Sequence, residues 1–218
     1  MNKLIILFFL IVPFWLNAQN EVSTNTFENK GIEVVKMLIE TDNKLKSLKS
    51  DFEQEVLFKV AEIKQKVKGN ITYLKPDNIK IIHSQPQEQT IIINSKKDIT
   101  IVKPKDKQII KTSYKNWKSG LEPKLKGLLE FGNYSSLLEE ADVKSEKIES
   151  GYLLKITPKN KGYKLKLKLN SNFFPVEGEL DLGDTIVTTI LKNIEINPEV
   201  KKEEFEYKNE NNYDTIKL

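Results

Sequence analysis

His83 is the only histidine among the 218 residues, so at most one imidazole base is available near neutral pH. A single histidine excludes a two-histidine metal site, and the absence of cysteine excludes thiolate ligands and nucleophiles. No Gly-x-Ser-x-Gly elbow, P-loop or dinucleotide glycine pattern accompanies His83. We therefore expect no catalytic residue, no metal site and no cofactor. We interpret His83 as a strand residue that points into a cavity or at a neighbouring side chain.

The other charged residues favour solvated surfaces rather than chemistry. The paired acids Glu139-Glu140 and Glu203-Glu204 fit a helix face and a charged tail, and no pattern places two acids at a shared site. Every basic residue is a lysine, so the bidentate fork with which arginine grips phosphates and guanine edges is missing. With a net charge of only +4, the chain is not expected to bind nucleic acid.

The first residues predict export. One lysine precedes an uncharged run from Leu4 to Leu16, and Ala18 stands at a suitable cleavage point. Residues 1–18 are therefore a predicted cleavable signal peptide, and residues 19–218 a single domain of ordinary size. No cysteine follows Ala18, so the mature chain is not itself lipid-modified, and without disulfides its stability must come from packing.

The apolar spacing predicts one helix followed by many strands. Helical spacing runs from about residue 27 to 49, and from residue 51 the period changes to two, with Phe52 and Val56 on one side. Turn-prone segments containing Pro76 and Pro104 separate the strands that follow. We predict strands at about 51–61, 64–75, 78–84, 89–94, 98–103 and 107–114, then at 142–149, 151–158, 162–170, 173–182 and 185–197.

Two short helices are predicted in the middle of the chain. Leu121, Leu125, Leu128 and Leu129 recur on one helical face, and a second helix fits about 134–140. The charged stretch from Glu199 is expected to fray. A sheet of about eleven strands is too long to stay flat. The predicted class is therefore mainly β (α+β): a half-open antiparallel β-barrel with an N-terminal helix and short lid helices. Its apolar side is either an ordinary filled core or a cavity for acyl chains.

Short motifs follow one another in a distinctive order along the mature chain. Phe52-Glu53-Gln54 follows the N-terminal helix, and Gly69, Ile71 and Tyr73 precede Lys75-Pro76 in the next strand. His83 and Gln85-Pro86 come next, and the last motif is Ile194-Glu195-Ile196-Asn197-Pro198. In this order, and over nearly the whole mature chain, the motifs resemble the LolA family of periplasmic lipoprotein carriers.

The resemblance implies a monomeric, non-enzymatic carrier in the periplasm. Its partners would be acylated lipoprotein cargo, an inner-membrane ABC transporter that releases the cargo, and an outer-membrane acceptor. Leu125, Leu128 and Leu129 would lie on the lid. The cavity wall for the acyl chains would be formed by eight apolar residues: Phe52, Val56, Ile71, Tyr73, Ile79, Ile81, Ile91 and Ile93.

Lys75 departs from the family pattern, which has arginine there as a latch for the lid helices. Lysine has no planar fork, so a gate built on Lys75 would be weaker or differently shaped, and a solvated lysine before a turn is the alternative. Two other functions stay open: a carrier of a different acylated lipid, and a lipoprotein-sensing regulatory domain. An enzyme that uses His83 would lose turnover in His83→Ala.

Overall fold

The computed structural model describes residues 29–94, 98–119, 141–159 and 162–218. The expected signal peptide and both lid helices expected between residues 121 and 140 lie outside the described residues. Neither described helix is long and apolar enough to cross a membrane.

Twelve strands form one sheet, with a helix before them and a second helix after the sixth. The helices are α1 (Asn29–Lys44) and α2 (Tyr114–Ser119). The strands are β1 (Ser47–Phe58), β2 (Ile63–Leu74), β3 (Asn78–Gln85), β4 (Gln89–Asn94), β5 (Asp98–Lys103), β6 (Gln108–Ser113), β7 (Ala141–Ile148), β8 (Gly151–Pro158), β9 (Lys164–Asn170), β10 (Pro175–Asp181), β11 (Thr185–Ile196) and β12 (Asp214–Lys217). Single 3-10 turns lie at Pro104–Asp106 and Lys202–Phe205.

The sheet is open, and its central pair consists of the first strand and the last strand but one. The order is β12-β6-β5-β4-β3-β2-β1-β11-β10-β9-β8-β7, so β1 pairs with β11 while β12 and β7 form the two edges. All pairs are antiparallel except β12 with β6. The predicted half-open barrel is confirmed, with twelve strands rather than about eleven.

The predicted N-terminal helix is too long at its C-terminal end. The helix ends at Lys44, and the strand that we expected from residue 51 begins at Ser47. Leu45 and Leu48 are apolar and buried, and their positions continue the helical spacing of the preceding residues. Leu48 also alternates with Phe52 on the period of two, and the sequence pattern alone could not separate the two possibilities.

The C-terminal stretch is ordered by contacts with the sheet rather than frayed. Phe205 is buried, in a 3-10 turn that lies against β3 and β4. The chain then returns as β12 along the edge of β6, where Asp214 N–H donates to the carbonyl of Lys107. The expectation that this stretch frays was wrong. The sequence signal for its order was a single phenylalanine within a charged segment.

The two faces of the sheet differ in polarity over β7 to β11, whereas on β4 to β6 both faces carry buried apolar residues. There Ile92, Val102 and Ile109 lie on the side opposite to Ile91, Ile93 and Ile99. On β9 the leucines Leu165, Leu167 and Leu169 are buried, while the intervening lysines point to the other side, as their strict alternation predicts. Lysines of one strand meet glutamates of the next on this outer face, as in Lys166 with Glu179 at 2.7 Å. Such exposed pairs contribute little stability, but they favour one strand register over its neighbours.

Candidate functional site

The opposite face, here called the inner face, is a largely apolar surface built from cross-strand rows. One row runs through Leu48, Tyr73, Ile79, Ile93 and Ile99 on β1 to β5. Because paired residues of neighbouring strands point to the same side, one apolar residue per strand is enough to build each row. The inner face therefore follows directly from the period of two in the sequence.

Two groups of buried residues make up this face. The first cluster covers β1 to β5 and contains Leu45, Leu48, Phe52, Val67, Ile71, Tyr73, Ile79, Ile81, Ile91, Ile93, Ile99 and Phe174. The second cluster covers β8 to β11 beneath α1 and contains Val34, Val35, Leu38, Val56, Leu154, Ile156, Tyr163, Leu165, Leu167, Leu169, Leu180, Leu182 and Val187.

The structure brings seven of the eight predicted cavity residues together. Phe52, Ile71, Tyr73, Ile79, Ile81, Ile91 and Ile93 all belong to the first cluster. Val56 lies in the second cluster, where it pairs with Val187 on β11. All eight are at most 6 % exposed. Their role in lipid binding stays a prediction.

Different helices cover the two clusters. Helix α1 packs on the second cluster through Val34, Val35 and Leu38, and Gly31 lets its backbone approach Val143 on β7. Helix α2 contacts β5 and β6. Tyr114 and Trp117 of this helix lie 6.0 Å apart between ring centres and pack against the first cluster. The predicted lid leucines Leu125, Leu128 and Leu129 lie outside the described residues.

An open cavity of about 410 Å³ lies where α1 ends beside the β9–β10 turn and the end of β11. Met37 and Ile196 line it and are 38 % and 48 % exposed. Leu45 and Phe174 line it as well and belong to the first cluster. The cavity is therefore continuous with the apolar inner face.

Lys75 lies at the C-terminal end of α1, at the rim of the inner face. Its Nζ donates to the carbonyl oxygen of Asn43 at 3.5 Å, a favourable position because helix C-termini carry partial negative charge. Its backbone N–H donates to the carbonyl of Lys46 at 2.8 Å. Lys75 thus connects the β2–β3 turn to the end of α1, and a gating role for it remains a prediction.

Asp42 was not among the predicted site residues, although it is a buried acid beside Lys75. Burial raises the pKa of the Asp42 carboxyl to about 7, and the charge of Lys75 opposes that rise. Asp42 falls four residues after Leu38 and seven after Val35, on the buried stripe of the helix. A charged residue on an apolar stripe was the sequence signal for it.

A few polar side chains interrupt the inner face. Gln54 Nε2 donates to Thr189 Oγ1 at 2.9 Å, both residues being buried. His83 is 3 % exposed, and its ring meets that of Phe52 edge-on at 5.7 Å. Burial lowers the pKa of His83 to about 4, so the imidazole is neutral near pH 7. The interpretation of His83 as a strand residue aimed at a neighbour is confirmed.

Asn197 fixes the junction between α1 and β1. Its Oδ1 accepts the N–H groups of Lys46 at 2.6 Å and Ser47 at 3.3 Å, and its Nδ2 donates to the carbonyl of Lys44 at 3.3 Å. Its φ is 59°, a left-handed conformation that asparagine tolerates better than most residues. The helix therefore ends where the end of β11 provides these partners.

Replacing Asn197 by alanine should destabilise the fold by about 2 kcal/mol, because three hydrogen bonds are lost and alanine disfavours a positive φ. Asn193→Ala is the matched control, since Asn193 also has a positive φ, of 51°, but its side chain makes one exposed bond, to Asp51. Urea unfolding should show a clearly larger loss for Asn197→Ala. Equal losses would mean that the junction contacts contribute nothing beyond backbone strain.

Comparison with known proteins gives the family and the fold. No curated protein matches the sequence. Among solved structures, an uncharacterised conserved protein from Thermus thermophilus aligns with a TM-score of 0.55 and 8 % identity, over 87 % of this chain and all of that one. MucB aligns with a TM-score of 0.52 and 14 % identity, over 83 % of this chain and 64 % of that one.

A LolA-superfamily protein from Nitrosomonas europaea aligns with a TM-score of 0.45 and 12 % identity, over 81 % of this chain and 97 % of that one. The sequence match is the decisive one: residues 43–208 match the family described as outer membrane lipoprotein carrier protein LolA. That stretch runs from the end of α1 through the 3-10 turn at Phe205 and includes eleven of the twelve strands. The chain belongs to the LolA family of outer-membrane lipoprotein carrier proteins.

Proposed function

We propose that this chain is a periplasmic carrier that binds the acyl chains of lipoproteins against its inner face and moves them from the inner to the outer membrane. The observation that carries the proposal is the largely apolar inner face of an unclosed sheet, in a member of a carrier family. Shielding an acyl chain from water is favourable by about 25 cal/mol per Å² of apolar surface. The driving force for capture is therefore large, and no bond needs to be made or broken.

In this proposal the cavity beside α1 is the route by which the acyl chains reach the inner face. Met37 and Ile196 offer exposed apolar surface in this cavity, while Leu45 and Phe174 belong to the buried first cluster. A chain that displaces α1 would contact the second cluster, and one that displaces α2 would contact the first cluster. In this proposal Lys75 restrains the end of α1 in the closed state. The protein would act as a monomer without enzymatic activity.

Two membrane partners follow from this role. An inner-membrane ABC transporter would load the carrier, and an outer-membrane acceptor would receive the cargo. Export by a cleaved signal peptide at residues 1–18 would place the single domain, residues 19–218, between them.

Native mass spectrometry of the mature protein, purified from its own periplasm, tests the proposal. A triacylated lipoprotein bound at one-to-one stoichiometry is the expected result. A free lipid would instead favour the carrier of another acylated compound. A reproducibly empty protein that forms a stable complex with a membrane regulator would favour a sensing domain.

Leu125→Asp and Leu128→Asp should reduce cargo occupancy about tenfold while changing the unfolding free energy much less, because a carboxylate in an apolar binding site is costly. The control is Leu153→Asp, which places the same charge on a half-buried leucine of the outer face. Occupancy is read by native mass spectrometry and stability by urea unfolding. Equal losses of occupancy and stability would assign both leucines to an ordinary core.

A further inference from the structure

The turn between β1 and β2 exposes apolar side chains that nothing in the proposed carrier role uses. Val60 is 90 % exposed and Ile63 57 % exposed, and Ala61 between them is exposed as well. We call residues 58–63 the hairpin tip. Phe58 at its base is partly buried. The hairpin tip thus directs the apolar side chains of Val60 and Ile63 into solvent.

Other hairpin turns in the described residues expose no large apolar side chain. The β3–β4 connection is Pro86-Gln87-Glu88, and the β7–β8 turn is Glu149-Ser150. The β9–β10 turn exposes Ser171 and Asn172, whereas its Phe173 is half-buried and its Phe174 buried. The exposed apolar side chains of the hairpin tip are therefore a local exception.

The hairpin tip projects beyond its neighbour and is held rigidly. Pairing of β2 with β3 begins at Lys68 opposite Gln85, so residues 63–67 extend past the end of β3. On the other side Lys59 N–H donates to the carbonyl of Asp184 at 2.9 Å, and Lys59 Nζ lies 2.9 Å from an Asp181 carboxylate oxygen. These contacts fix the backbone of the hairpin tip. Binding through its apolar side chains therefore loses little further conformational entropy.

Lysines on β2 flank the hairpin tip and are the groups that an anionic partner would contact. Four lysines and two glutamates lie between residues 55 and 68. Lys64 pairs with Glu55 at 3.0 Å and Lys68 with Glu53 at 3.2 Å, but these pairs are exposed and contribute little, so phosphates can replace the carboxylates. The acids that oppose such a partner are Glu62 and Asp184 at the tip, Asp181 on Lys59, and the displaced Glu53 and Glu55.

We propose that the hairpin tip inserts into the interface of an anionic phospholipid bilayer. A tip of about four residues is convex and buries far less than the roughly 800 Å² per partner of a stable protein interface. A bilayer surface accepts a small apolar point, and flanking lysines gain about 1 kcal/mol each near anionic headgroups. The carrier would then meet a membrane in a fixed orientation, with the β1–β2 end of the sheet first.

Co-sedimentation with phospholipid vesicles tests the inference on the whole mature protein. Wild-type protein should bind vesicles that contain phosphatidylglycerol, and V60D/I63D should partition at least tenfold more weakly. The matched control is I190D/I216D, which adds the same two charges at isoleucines that are 37 % and 39 % exposed elsewhere on the sheet. This control should lose less than threefold.

A neutral pair of variants separates apolar contact from charge. V60A/I63A should weaken binding several-fold without changing the net charge, and Val60→Trp should show a blue-shifted emission on vesicles with phosphatidylglycerol. Absence of wild-type binding, equal losses in both double aspartate variants, or an unchanged tryptophan emission would overturn the inference. Cargo occupancy of V60D/I63D, read by native mass spectrometry, should stay unchanged, so failure here is distinguishable from failure of the carrier proposal.

Discussion

Gly69→Ala should destabilise the folded chain by about 3 kcal/mol or more, because the new methyl group has no space. A Cβ at this position would lie 2.1 Å from the carbonyl oxygen of Ile82 and 2.9 Å from Cζ of Phe52. The first neighbour is backbone, which cannot move without disturbing the pairing of β2 with β3. The register of this pair already shifts between Lys68 and Gly69.

Urea unfolding measures this effect, and two comparisons show its origin. Gly183→Ala should cost only about 1 kcal/mol, because Gly183 has a positive φ but open space around the position of a Cβ. Gly69→Ala should lose nearly as much in a Phe52→Leu background, since the overlap with the Ile82 carbonyl remains. An unfolding midpoint for Gly69→Ala close to that of wild type would show that the strands do not approach so closely.

The absence of a side chain at Gly69 also shapes the candidate site. Gly69 lies between Phe52 on β1 and His83 on β3 in one cross-strand row. The Phe52 ring therefore extends over β2 and reaches the edge of the His83 ring. A larger residue at position 69 would displace this ring from the first cluster, so stability and the shape of the inner face should change together.

Opposite pH dependences of stability are expected for His83 and Asp42. The pKa of His83 is about 4 in the folded chain against an ordinary 6.5, so its neutral form is favoured and stability is lost as pH falls from 6.5 to 4. The pKa of Asp42 is about 7 against an ordinary 3.8, so the folded chain retains the proton and stability is lost as pH rises from about 4 to 7.

Single substitutions should reveal each dependence. Relative to wild type, the stability of Asp42→Asn should rise across pH 4 to 7 by on the order of 4 kcal/mol, and that of His83→Gln should fall across pH 4 to 6.5 by on the order of 3 kcal/mol. Urea unfolding at half-unit pH intervals measures both, and contributions from other carboxylates cancel in the differences. A difference that stays constant with pH would show that the residue does not titrate as its burial requires.

The strand pattern made most of the sheet predictable. The bounds of β4, β5 and β8 agree with those predicted, because period-two alternation and turn residues mark both ends of each strand. The eight apolar residues assigned to the inner face are buried for the same reason. A period of two determines which side a residue faces, although not what the resulting surface binds.

Features that depend on contacts between distant residues could not be predicted from the sequence. The N–H groups of Lys46 and Ser47 donate to Asn197 instead of continuing the helix. Asn197 is about 150 positions away, so no local sequence pattern indicates this partner. Phe205 is ordered by β3 and β4, whereas its charged neighbours alone indicate a solvated tail. Val56 joins the second cluster because of its position along β1, which becomes apparent only when the sheet order is known.

The pairing of β1 with β11 has a consequence for the order of folding. Gln54 and Thr189, which bond at the centre of the sheet, are separated by 135 positions. A long loop must close before this central pair contributes any stability, so we expect the β1–β11 pair to form later than the hairpins between consecutive strands. A chain emerging from the ribosome lacks this pair until β11 has been made, so the two halves of the sheet join only after most of the chain is available.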